Sequence, residues 1–158
     1  MPRYFKQKDD YGCGPMALLN VRLWAGQPVT YKQNYEECKK ACKTTEDGTH
    51  RSNFNRALKR FAPESYTISN QSSLNMADLI NHIKLDGIAV LLHYFPSAWF
   101  SHFCLVIGRK DNGDWILIND DKQKLRFIIS HSEMKKYMKH QFIDGVWFPK
   151  LWLIHQYE

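Results

Sequence analysis

Apolar residues recur at two different periods along the chain, and the change falls near Gly87. Before it the spacing is helical. Met16, Ala17, Leu18, Leu19, Val21, Leu23 and Trp24 form a run opened by Gly14-Pro15 and closed by Gly26, which puts a proline in the first turn of a helix and a glycine just past its end. Thr30 can cap a second helix that passes through Tyr35 and Cys38 to about Cys42. Phe54, Ala57, Leu58 and Phe61 mark one face of a third over about 53–61, and Met76, Leu79, Ile80 and Ile83 the stripe of a fourth over 75–85. The polar run from Thr44 to Thr49 reads as a loop.

After Gly87 the runs have strand length. Ile88–Tyr94 and Phe103–Gly108 are apolar without alternation, as strands buried on both faces are. Asn112-Gly113 is a strong tight-turn signal and joins the second run to Trp115–Asn119 as a hairpin. Further strands are expected at 125–129 and 146–155, around a short helix beginning near Ser132. Helices first and an antiparallel sheet afterwards make the class α+β. With period-two alternation Cys104 and Val106 share the face of His102, and that face is expected beneath the first helix.

Length and composition fit one compact domain over 1–158, since 158 residues with 44% hydrophobic and 24% charged residues suit a single globular core. No stretch approaches eighteen uninterrupted apolar residues, and the first ten residues lack the apolar middle of a secretion signal, so a cytoplasmic protein with no membrane partner is expected. The net charge of +6 would suit a polyanion if it were clustered. The lysines and arginines are scattered and lack interleaved aromatics, which argues against nucleic acid. Four cysteines without an export signal are expected as free thiols. Cys38 and Cys42, with His50 nearby, lack the knuckle spacing of a zinc site, and neither a metal nor an organic cofactor is expected.

Chemistry concentrates at Tyr11-Gly12-Cys13-Gly14-Pro15. A cysteine at a helix N-terminus meets unsatisfied backbone N–H groups and the positive end of the helix dipole, both of which favour thiolate. The flanking glycines leave the approach open, and the Cys13 N–H can donate to an oxyanion. Of seven histidines, His102 opens an apolar strand after a turn-like segment and is placed to reach a cleft, with His93 as second choice. Asn119-Asp120-Asp121 ends the partner strand of the hairpin, so a carboxylate there can orient the imidazole.

Gln7, five residues, Cys13-Gly14-Pro15 and an apolar helix, then His102-Phe103 heading a strand and Ile118-Asn119-Asp120 ending the next, resemble the C39-like branch of the papain-like cysteine peptidases. The resemblance runs from Gln7 to about Asp121. It implies a papain-like fold with N-terminal helices packed on a C-terminal sheet. It also implies a triad of Cys13, His102 and Asp120, with Gln7 in the oxyanion hole. The family usually has a proline after its aspartate where this chain has Asp121, so Asn119 stays open as the orienter. Many family members are domains of membrane transporters that cut leader peptides after a double glycine, and that job does not transfer to this chain.

The expected partner is a peptide or protein substrate, with Tyr11, Gly12, Trp99 and Ser101 as substrate-binding positions and the 44–52 loop and 95–101 turn as cleft walls. A thiol acyltransferase would use the same residues. A non-catalytic peptide-binding or protein-binding module on the same fold has no need of Gln7, Cys13, His102 and Asp120 together. Oligomeric state is not legible in the sequence.

Overall fold

A computed structural model describes residues 2–62, 66–70, 75–95 and 100–156. Three helices come first: α1 (Cys13–Trp24), α2 (Tyr31–Ala41) and α3 (Arg51–Phe61). Then follow β1 (Tyr66–Asn70), α4 (Met76–Lys84), β2 (Ile88–Phe95), β3 (Phe100–Arg109), β4 (Trp115–Ile118), β5 (Arg126–Ile129), α5 (His131–Tyr137), β6 (Gln141–Ile143), β7 (Val146–Phe148) and β8 (Lys150–Gln156). The caps lie where the sequence puts them. Thr30 accepts from the Gln33 N–H, and Asn75 and Asp78 close a capping box on α4.

Six strands form one antiparallel sheet in the order β1-β8-β2-β3-β4-β5, and β6 pairs with β7 separately. The last strand in sequence therefore lies inside the sheet, between β1 and β2. The expected hairpin is present, with Gly113 at φ 94° and the Lys110 N–H donating to the Asp114 carbonyl at 2.7 Å. Its ladder slips by a bulge between Val106 and Gly108. The single strand expected over 146–155 is two strands, since β7 turns back on β6 and β8 enters the main sheet.

Both faces of the sheet are covered. Ile88, Val90, Leu92, Phe103, Leu105, Trp152 and Ile154 pack against Met16, Leu18, Leu19, Phe54 and Leu58 of α1 and α3. Ala89, Leu91, Cys104, Val106, Leu117 and Leu151 pack with Leu79 of α4 and Met134 of α5. The apolar runs of β2 and β3 thus read correctly as two-faced strands. The face assignment needs correcting: Phe103 and Leu105 lie with α1, while Cys104 and Val106 pack on the α4 and α5 side. Parity alone fixes which residues share a face, not which face a helix takes. No helix among the described residues is long and apolar enough to cross a membrane.

Candidate active site

The arm before α1 is tied down at both ends. Asn20 of α1 holds it through the Phe5 N–H and carbonyl, and Asn119 accepts from the Gln7 N–H at 3.0 Å and donates to the Phe5 carbonyl at 2.8 Å. Asp9 then folds the next turn, accepting from the Tyr11 N–H and from the Tyr35 hydroxyl. Gly12, buried at the head of α1, fits this turn because a Cβ there would lie 2.2 Å from the Tyr35 hydroxyl and 2.4 Å from the Asp9 carboxylate. Its contribution is close backbone packing. Gly14 is equally constrained: its Cβ would meet the Thr49 Oγ1 at 2.5 Å, so the 44–49 loop leans directly on the first turn of α1.

Cys13 is the first residue of α1 and 9% exposed. Burial pushes its thiol above the ordinary range, and Asp9 adds to that, while backbone hydrogen bonds from Phe103, Gly14 and Cys13 itself pull the other way. The helix N-terminus therefore acts in the expected direction, but desolvation outweighs it. His102 is also buried, and desolvation lowers its pKa from 6.5 despite a hydrogen bond to the Asn119 carbonyl. Burial thus disfavours the charged form of both groups, which for Cys13 runs against the helix argument taken alone.

His102 Nε2 lies 2.5 Å from the Asn119 backbone oxygen. A carbonyl only accepts, so Nε2 carries the proton and Nδ1 of the neutral ring is left as an acceptor. Asn119 achieves this with φ at 57°, a left-handed conformation that asparagine tolerates better than most residues. Its carbonyl serves His102 while its side chain holds the arm bearing Gln7.

Asp120 points elsewhere. Its Oδ1 is 3.0 Å from His93 Nε2, and its Oδ2 accepts from the Tyr137 hydroxyl at 2.6 Å. Burial acts to raise its pKa, but the bonds from His93 and Tyr137 outweigh it and hold the carboxyl below its usual range. His93 and His102 face each other across β2 and β3, with ring centroids 6.4 Å apart, and Tyr137 stacks on His93 at 4.0 Å. The Asp120 charge still acts on His102 through space, raising its pKa. Cys104 lies behind this cluster, and its sulfur and a ligand atom each of His93 and Asp120 fall within 4.8 Å of one another.

Gln7 is 3% exposed, and its Nε2 donates to the Asp9 carbonyl at 2.7 Å, leaving a second N–H on the same nitrogen. Around these groups runs an open cleft. On one side Cys13, His102, Tyr11, Ser101 and the 46–49 loop line a volume of about 380 Å³. On the other, Gln7, His102, Asp120 and residues 121–123 line about 330 Å³. His102 and Asp10 belong to both walls, so the two volumes flank the imidazole. Tyr11, Ser101 and residues 46–49 of the expected 44–52 wall line the Cys13 side; Trp99 lies outside the described residues. His93, Tyr137 and Cys104 were not legible as a cluster, because the pairing register of β2 with β3 and the docking of α5 are long-range facts.

A profile of the Peptidase_C39-like family matches residues 2–147 of the chain. Among solved structures, the peptidase domain of ComA from Streptococcus, a bifunctional ABC transporter involved in a quorum-sensing pathway, is similar with a TM-score of 0.66 and 18% identity over 96% of each chain. A double-glycine-motif protease from an AMS/PCAT transporter, in complex with its leader peptide, is similar with a TM-score of 0.62 and 16% identity, covering 97% of this chain and 91% of that one. A comparison with curated proteins finds no significant match.

Proposed function

The chain belongs to the Peptidase_C39-like family, and from that membership we propose that it is a cysteine hydrolase cutting a peptide or isopeptide bond, with Cys13 as nucleophile, His102 as base and acid, and Gln7 as an oxyanion donor. The observation that carries this reading is the shared cleft of Cys13 and His102, with His102 Nε2 held on the Asn119 carbonyl. That bond leaves Nδ1 as the base. His102 takes the Cys13 proton as the sulfur attacks the amide carbonyl. The tetrahedral oxygen is met by the spare Gln7 N–H and the Cys13 N–H. His102 then protonates the leaving amine, and water it activates cleaves the thioester.

Asp120 enters this reading as a positioning residue. It acts on His102 electrostatically and through the β2–β3 pair, while Asn119 makes the direct bond. A peptide substrate is consistent with the leader peptide bound by the transporter protease of similar fold.

The test is per-cysteine alkylation by neutral iodoacetamide, followed by mass spectrometry across pH in wild type and His102→Ala. Cys13, which lines the cleft, should react faster than Cys38, Cys42 and Cys104, which are 0%, 0% and 1% exposed. Its rate should keep climbing above pH 8, and His102→Ala should remove the advantage. Equal rates at all four thiols would overturn the reading.

A further inference from the structure

We propose that the cleft selects substrates bearing a cationic side chain, a lysine or arginine of the peptide, beside the amide to be cut. This rests on the reading of Cys13 as nucleophile and adds the substrate class.

The chain as a whole is basic, at +6, yet its cleft is not. Among the described residues, the charged side chains on the Cys13 side are Asp10, Glu46 and Asp47. On the far side of His102 they are Asp10, Asp120, Asp121 and Lys122. Of the 22 lysines and arginines in the sequence, Lys122 is the one on these walls among the described residues, and it is spent on an ion pair with Asp10. Asp120 is bonded to His93 and Tyr137. Glu46, Asp47 and Asp121 enter no ion pair among the described residues, and they bracket the reactive groups from both sides.

A second observation points the same way. Gln7, 97% removed from solvent on the cleft wall, has an Oε1 with no hydrogen-bond partner among the described residues. Its Nε2 is fixed on the Asp9 carbonyl, so the orphan atom is the acceptor and not the donor. The wall therefore joins surplus negative charge to Gln7, a lining residue with a buried, unsatisfied acceptor. Ammonium and guanidinium groups are donor-only and positive, the complement of both. An anionic side chain would face like charge from two walls. A cleft lined by one sign of charge raises the local concentration and on-rate of opposite charge by about 10 to 1,000-fold.

The test needs no known substrate. Rates of Cys13 modification by cationic aminoethyl, anionic sulfonatoethyl and neutral methyl methanethiosulfonate would be measured by mass spectrometry, each divided by its rate on mercaptoethanol. In each case the thiolate sulfur forms a disulfide and methanesulfinate leaves. At low salt the normalised cation-to-anion ratio should exceed about 10. It should fall to within about twofold of unity in Glu46→Gln/Asp47→Asn/Asp121→Asn and in wild type at 1 M salt, where screening is nearly complete at these distances. The salt arm uses the wild-type chain and so decides the matter even if the triple variant fails to fold. A ratio near one at low salt, with Cys13 still reacting with the neutral reagent, overturns the charge preference and leaves the nucleophile in place. Silence of Cys13 toward all three reagents in folded protein overturns the nucleophile and the preference with it.

Discussion

Asn119 makes three of its hydrogen bonds toward the site: its carbonyl on His102, its Oδ1 on the Gln7 N–H, and its Nδ2 on the Phe5 carbonyl. Substitutions can split them. Asn119→Gly suits the left-handed backbone and keeps the carbonyl in place, but frees the arm bearing Gln7. It should leave His102-dependent alkylation of Cys13 largely intact while turnover falls, toward the roughly hundredfold loss expected for Gln7→Ala. Asn119→Ala strains the backbone as well, at about 1–2 kcal/mol, and should lose stability and Cys13 reactivity together. Asp120→Asn removes the charge that favours protonated His102, so the acid limb of the pH–rate profile should move to lower pH. An unmoved limb would leave Asp120 a purely structural role. At this scale the sequence was most informative where chemistry is local, as at Cys13 in a glycine-flanked helix start. It could not show that burial overrides the helix dipole, or that Asp120 meets His93 before His102, because both depend on what packs around the residue.

Between elements, the contact that matters most to the cleft is that of α1 with the 44–49 loop. Thr44 and Thr49 hydroxyls are hydrogen-bonded at 2.7 Å, and Thr49 sits where a Gly14 side chain would be. Gly14→Ala should therefore displace the loop and cost about 1–3 kcal/mol, as overpacking does. Thr49→Gly in the same chain should recover most of it, visible as a favourable coupling in a thermal-melt double-mutant cycle. Additive losses would show that the two residues do not clash. The four leading helices and the β3–β4 hairpin were legible because caps, a stripe of apolar residues and Asn-Gly are written locally. β1 was missed, being a short edge strand of mixed polarity whose identity comes from pairing with β8. β6 and β7 were missed or merged for a similar reason, since a three-residue pair is defined by its partner and not by its pattern.

The whole molecule should be most stable in a neutral window, and the signs of the buried groups set its edges. His102 and His82 have lowered pKa values, so below about 6.5 the unfolded chain takes up protons that the folded one refuses, and stability falls. Asp120, held low, adds a second loss as pH drops further through its folded value. On the alkaline side Cys42 and Tyr4 are each pushed up to about 12, so unfolding releases protons above roughly pH 9 and stability declines again. A thermal melting temperature followed from pH 4 to 10 should thus be flat between about 6.5 and 9. A maximum near pH 5 would contradict the assignment of neutral buried imidazoles.

The place of β8 has a bearing on synthesis. Trp152 on that strand packs at 4.9 Å from Phe54 and 5.9 Å from Phe103, and donates to Asn55, while Phe103 supplies a backbone hydrogen bond to the Cys13 sulfur. A nascent chain emerges amino end first, so α1, its thiol and the histidine strand leave the ribosome before the strand that completes their sheet. Until about residue 156 has cleared the exit tunnel, the sheet lacks the strand between β1 and β2. Order of translation would then keep the Cys13 region without its complete sheet until β8 has emerged.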